Sequence, residues 1–389
     1  MNYRRLKNST IAALFLFIPF HSSLFSQWID DPVIDAAIQR GIAYTYNLDF
    51  EKAQYEFQKV QSARPDHPAG QFFLSMVEWW KILINIDDES NDKYFYSMLE
   101  KVIDQCDGLL DKNEKDITGL FFKGGAIGFR GRLLATRKSW FKAADDGKDA
   151  LPIVLDAAAI APKNADVLLG TGIYHYYASV LPEKYPIIKP IMLFFPKGDK
   201  NKGIDMLKQA AEKARYANIE AMYFLMQLYY SYENNASMSL QYAQRLFTKF
   251  PRNSLFHSYI GRCNVRTANW KNVYDVFSEI VKRCNAGLRG YNAKLERESE
   301  YYIGYYHLTV GNYDEAIRHF VRCDEISRRI DRDGITSWMV MTNLRMGYVF
   351  DLQKKRTFAL KQYDKVLAMK EFENSHALAE RYKKQVYAQ

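Results

Sequence analysis

Four times in this chain a glycine is followed twelve residues on by alanine, or once by valine, and four residues later by an aromatic ring. The matches are Gly41, Ala53, Phe57; Gly261, Val273, Phe277; Gly304, Ala316, Phe320; and Gly347, Ala359, Tyr363. Tyr44 and Pro65 complete the punctuation of the first copy, and Gln227, Ser239, Ala243 and Pro251 keep the spacing of a weaker one. A twelve-residue step joins two helices across a short turn, and a four-residue step stays on one helix face. Glycine and alanine are needed where the two helices approach closely, and the ring fills the groove one turn further along. A single such hairpin leaves an apolar face uncovered, so at least three must stack.

The composition agrees with helices. With 48% hydrophobic residues and 25% charged, the chain folds and buries a core, and its 20 glycines and 11 prolines are few for a protein of 389 residues. The offsets resemble those of the tetratricopeptide repeat, whose unit of about 34 residues carries Gly, Tyr, Ala, Phe and Pro at these places. That resemblance implies an all-α, right-handed superhelical solenoid. Asn312 to Ala316 and Leu48 to Ala53 read as interhelix turns leading into an acidic second-helix start, which suits the helix dipole. Residues 68–86 with 94–110, 116–137 with 139–161, and 165–179 with 201–216 read as degenerate pairs. About eight antiparallel units are expected from residue 34 to 372, with a charged capping helix at 374–389.

Compartment is read from the first residues. Arg4, Arg5 and Lys7 precede the apolar run Ile11 to Phe20, the pattern of a secretory signal of residues 1–26, so the mature chain 27–389 is expected to be a single exported solenoid of the cell envelope, periplasmic, outer-membrane-associated or secreted. The run is too short to span a membrane. Removing it takes away three positive charges and no negative ones, so the formal net charge falls from +9 to +6. This mild, dispersed basicity suits acidic envelope polymers, lipid headgroups or acidic protein faces rather than nucleic acid.

Two stretches depart from the repeat. Phe122 to Arg132 holds four glycines in eight residues, expected at a close helix crossing or, with Arg130, Arg132 and His175, at an anion contact. No strand precedes it and no Lys-Ser/Thr ends it, which argues against a nucleotide loop. An insertion at 180–199 carries four prolines, which forbid a regular long helix across it. Its Ile187, Ile188, Ile191, Met192, Leu193, Phe194 and Phe195 either fold back on the solenoid or face a partner or membrane surface. The stretches GFRGR, Trp140 to Asp149, GIYHYY, and LPEKYP with GDKNKG resemble a group of exported bacterial repeat proteins. They are more distantly similar to eukaryotic proteins of the outer mitochondrial membrane linked to inclusion clearance and lipid handling. That resemblance covers about residues 120–215 and carries no catalytic residues.

Carrying the register of the repeat across places Phe224, Arg262, Arg266, Tyr301, Tyr305 and Tyr348 on the concave first-helix surface, where tyrosines and arginines suit an extended peptide or glycan. The Lys and Asn of a chaperone-type carboxylate clamp are missing there. His307 and His319 lack ligand spacing, and Cys106, Cys263, Cys284 and Cys323 form no Cys-x-x-Cys pair, so no metal, cofactor or catalytic constellation is expected. A bridge from Cys263 or Cys323 to Cys284 stays open. The expectation is therefore a non-enzymatic, protein-binding scaffold of the bacterial envelope. The alternative is a peripheral membrane- or lipid-associated protein docking through 180–196.

Overall fold

The computed structural model describes residues 28–186, 189–193 and 195–388. The expected export signal, residues 1–26, lies outside the described residues, as do Ile187, Ile188 and Phe194 and the side chain of Ile191. Helices pair in sequence order: α1 (Pro32–Tyr46) with α2 (Phe50–Ala63), α3 (Ala69–Ile84) with α4 (Asp92–Leu110), and α5 (Ile117–Thr136) with α6 (Trp140–Ile160). The fourth unit joins α7 (Val167–Lys184) to α9 (Lys200–Lys213) around a four-residue turn, α8 (Lys189–Met192). Then come α10 (Asn218–Ser231) with α11 (Ala236–Lys249), α12 (Ser254–Arg266) with α13 (Trp270–Asn285), α14 (Ala293–Thr309) with α15 (Tyr313–Ile330), and α16 (Ser337–Leu352) with α17 (Arg356–Leu367). A last helix, α18 (Ser375–Lys384), closes the array. Among the described residues eight units are present and no strand occurs.

The repeat spacing has the expected cause. A β-carbon added to Gly41, Gly261, Gly304 or Gly347 would fall 2.4–2.9 Å from Phe57, Phe277, Phe320 or Tyr363, the ring sixteen residues on. These rings and the intervening Ala53, Val273, Ala316 and Ala359 are fully buried. The four glycines of the Phe122–Arg132 stretch all lie inside α5, where Gly125 abuts Phe72 and Gly124 and Gly131 abut Val154 and Asp146 of α6, so close crossing accounts for three of them.

Two boundaries differ from expectation. Helix α7 runs through Pro182 to Lys184, so the link to α9 is shorter than the proline pattern implied. Pro182 has no N–H to give the Ala178 carbonyl, yet the helix continues past it and closes with the Tyr185 N–H donating to the Leu181 carbonyl at 2.8 Å. The capping helix stops at Lys384, and the next residues turn back so that the Tyr387 ring stacks on Tyr348 at 4.1 Å.

His257 supplies a pH-dependent term. It is buried, stacked on Phe247 at 4.3 Å, with Nδ1 3.1 Å from the Tyr291 hydroxyl. Burial, helped by Arg283, pushes its pKa down to about 4. The ring is neutral in the fold, yet protonates below about 6.5 in the unfolded chain, so its share of stability is present above that pH and drains away as the pH falls toward 4. Urea titrations at pH 7 and 4.5 are expected to show about 2–3 kcal/mol more acid loss in the wild type than in His257→Phe, which keeps the stack and cannot protonate.

Candidate functional site

The first helix of each unit lines the inner face of a solenoid of this kind, and here part of that face is closed by the protein itself. Side chains of α1, α3 and α5 meet those of α10 and α12 across the superhelix. Trp80 packs 5.4 Å from Tyr223 and 5.6 Å from Phe256, and Phe73 lies 5.5 Å from Tyr216. At the centre the Arg132 guanidinium donates to Glu220 at 2.8 Å and Gln227 at 2.9 Å, while the Tyr46 hydroxyl donates to the other Glu220 oxygen at 2.7 Å. The rings of Trp79, Tyr223 and Phe224 surround that guanidinium at 4.5–5.3 Å. Burial, reinforced by Glu220, drives the Tyr46 hydroxyl far above its ordinary pKa.

The seam continues beyond this pair. Asn253 donates to the Tyr46 carbonyl at 2.7 Å, Arg289 grips both Glu51 oxygens, and Asn292 donates to the Ile84 carbonyl. Units one to three are thereby fastened to units five to seven, across more than 170 residues of sequence at every one of these bonds to α1.

This closure redistributes the residues expected to bind. Phe224 is only 7% exposed and lies under Arg132, inside the seam rather than on an open groove. Arg132 is held by Glu220, and Arg130 is gripped by both oxygens of Asp146 and by Glu100, so neither guanidinium of the proposed anion contact is free for an outside anion. His175 is not among the partners of either arginine; its ring lies beside Tyr174, and burial lowers its pKa.

The remaining candidate residues lie on the first helices of units six to eight. Arg262 on α12 makes a two-pronged ion pair with Glu298 on α14, at 2.7 and 2.6 Å. Arg266 is exposed and lies 3.5 Å over the Tyr230 ring. Tyr301 and Tyr305 on α14 are half-buried and face Arg345 on α16, whose guanidinium sits 5.1 Å from Tyr305 and 5.3 Å from Tyr348. Tyr348 itself is 3% exposed and forms a wall rather than a contact surface.

Arg345 was missed by sequence reasoning. The signal was available: it stands two residues before Gly347, the row occupied by Tyr259 and Tyr302 before Gly261 and Gly304.

In the insertion Leu193 is 84% exposed, while Met192 and Phe195 are half-buried. On the neighbouring unit Phe141 is 77% and Trp140 55% exposed at the start of α6. All four cysteines are unbridged, and Cys106, Cys263 and Cys323 are buried. Among the described residues no cluster of His, Cys, Asp and Glu is placed to hold a metal, and no helix is long and apolar enough to cross a membrane.

The packing of each glycine against the ring sixteen residues on decides the architecture. These are tetratricopeptide-type helix pairs. Solved structures of similar architecture include a thermophilic tetratricopeptide protein, TTC0263 of Thermus thermophilus, at 16% identity, a TM-score of 0.36, and coverage of 60% of this chain and 99% of that one. Yeast Tom70 aligns at 11% identity and a TM-score of 0.36 over 90% of this chain and 89% of its own. The human IFIT1 dimer with PPP-AAAA aligns at 12% identity and a TM-score of 0.42 over 83% of this chain and 69% of its own. No family model and no curated protein sequence matches the chain.

Proposed function

We propose that this protein is a non-enzymatic scaffold of the bacterial cell envelope that holds a segment of a partner protein on the inner face of units six to eight. The observation that carries the reading is the run of tyrosines and arginines there: Arg266, stacked on Tyr230 of unit five, with Tyr301, Tyr305 and Arg345, half-buried or exposed on successive first helices. Rigid rings lose little entropy on contact, and guanidinium groups give planar, directional hydrogen bonds, which is why both concentrate binding energy at interfaces. Export rests on the basic and apolar opening of the sequence, and a single solenoid from residue 27 to 389 rests on the unbroken succession of units.

The alternative, docking on a lipid surface, draws support from a particular edge. The α5–α6 turn and the link after α7 both follow first helices, so Trp140, Phe141 and Leu193 belong to the same rim of adjacent units. Exposed aromatic and aliphatic side chains with lysines nearby are the composition of an interfacial anchor.

One experiment separates the two. A benzophenone amino acid placed at Tyr305, or at Phe358 on α17 as an outer-face control, is irradiated in intact cells, and the same protein is floated with liposomes containing anionic lipid. The scaffold reading expects a discrete crosslinked protein at position 305 above the 358 control, and no flotation. Flotation abolished by Trp140→Ala/Phe141→Ala, without a crosslink at 305, would instead establish the lipid reading.

A further inference from the structure

Formal charge is not spread evenly along the array. Residues 28–116, the first two units and the turn after them, hold 18 Asp and Glu against nine Lys and Arg, a net −9. Residues 353–389, at the other end, hold nine Lys and Arg against four acids, a net +5. Each excess is drawn into a stripe on the outer side of a second helix. On α4 the stripe is Glu100, Asp104, Asp107 and Asp111, with Lys101 and Lys112 a residue off it. On α17 it is Lys361 and Lys365 in step with Phe358, and Lys354 and Lys355 stand in the turn that leads into the helix. Steps of three and four residues hold each set on one face.

Neither stripe is neutralised within the chain. Glu100 and Asp107 serve Arg130 and Lys123, and Asp364 of α17 serves Lys383. Among the described residues no cation lies within 4.0 Å of Asp104 or Asp111, and no carboxylate within 4.0 Å of Lys354, Lys355, Lys361 or Lys365. Outer cations elsewhere meet acids of their own helix, as Lys271 does Asp275, Arg283 does Glu279 and Arg328 does Asp324. Phe358 stands bare in the basic stripe, 53% exposed. Gly108 stands in the acidic one, where an added β-carbon would meet nothing within 4 Å.

We propose that the chain binds a second copy of itself through these stripes, α17 of one copy lying antiparallel on α4 of the next. With Phe358 seated on Gly108, the three- and four-residue steps bring Lys361 opposite Asp104 and Lys365 opposite Glu100, and turn Lys354 and Lys355 toward Asp111. Glycine lets the ring approach the backbone, and the flanking charges set direction and register. Like stripes repel, so the contact is head-to-tail and each copy keeps one stripe for a further copy. Exposed ion pairs are individually weak, which makes the contact salt-sensitive. A lipid surface suits it less, because α17 offers a single ring to bury and the acidic stripe would stay without a partner. The inner face takes no part, so linked copies present several binding faces side by side, which goes beyond the scaffold reading.

Sedimentation velocity of the purified protein tests this. At low salt the average mass is expected to rise with concentration, and at high salt to return to that of one chain. K361E/K365E and D104K/D111K are each expected to weaken association about tenfold or more, and their equimolar mixture to recover it, because each variant then meets an opposite stripe on the other. K271E/K282E, the same charge change on exposed positions of α13, is expected to leave it unchanged. If a reversal does not fold, as judged by circular dichroism, K361Q/K365Q and D104N/D111N carry the comparison, with a loss of several-fold.

Wild-type protein that stays monomeric at low salt would overturn the inference. So would equal loss in K271E/K282E, which reduces the effect to net charge, or a mixture of the two reversed variants no better associated than either alone. Flotation of a monomeric protein with anionic vesicles, abolished by K361E/K365E, would assign the basic stripe to lipid instead. In the cellular crosslinking, benzophenone at position 358 is expected to join two copies of this chain and no other protein, so a foreign partner captured at position 305 is still read against it, and the scaffold reading stands or falls separately.

Discussion

Replacing Glu220 by leucine is expected to lower the unfolding free energy by about 3–5 kcal/mol, because it strands the Arg132 guanidinium inside the seam. Glu220 is 6% exposed and serves two donors at once, so its removal leaves Arg132 with only the Gln227 amide oxygen and deprives the Tyr46 hydroxyl of its acceptor. The aromatic rings around the guanidinium offset part of the cost and cannot replace an anion. The double variant Arg132→Met/Glu220→Leu is expected to recover most of the loss, since exchanging a whole buried pair for apolar groups of similar volume is close to neutral. Urea unfolding followed by tryptophan fluorescence measures both. A double variant as unstable as the single would show that packing, and not the unpaired charge, sets the cost.

Trp80→Ala is the second large effect, at about 3–5 kcal/mol. The indole is 1% exposed and touches Tyr46 on α1, Tyr223 on α10 and Phe256 on α12, at 5.0, 5.4 and 5.6 Å. It therefore fills space between two arms of the solenoid as well as within its own unit. Hydrogen exchange is expected to accelerate in α10 and α12 as strongly as in α3. Acceleration confined to α3 and its immediate neighbours would mean that the two arms are held elsewhere.

The number of units and their phase were legible because glycine, alanine and a ring at fixed offsets answer a local requirement, the close approach of two helices in one hairpin. Degenerate units such as α3–α4 were found from apolar periodicity instead. Closure of the inner face was not read, since those offsets govern each unit and its neighbour but say nothing of how tightly the superhelix winds. A signal did exist. Helices α3 and α10 are apolar nearly all round, with Phe72, Phe73, Val77, Trp79 and Trp80 on one and Met222, Tyr223, Phe224, Leu225 and Leu228 on the other. A helix apolar on every side must be covered on every side, and these two cover each other. Phe224 was assigned to the groove by register alone, which places it on the correct face without revealing that the face is occupied. Arg262 stands where the register puts it, but its ion pair with Glu298 could not be read from spacing. Arg345 went unnoticed because the register was followed at Tyr348 and not at the row three residues before it.

The seam also sets an order of events during synthesis. In a plain repeat array each unit finds its only partners immediately before and after it, and can settle as soon as the next emerges. Here α1 and α3 have completed their own hairpins long before α10 and α12, the helices that cover Tyr46 and Trp80, have been made. Bringing together segments so far apart in the chain slows folding, because loop closure precedes the contacts that reward it. Until then the nascent N-terminal arm carries a bare aromatic surface, which makes it a natural client for a holding chaperone and the part of the molecule most exposed to misassembly.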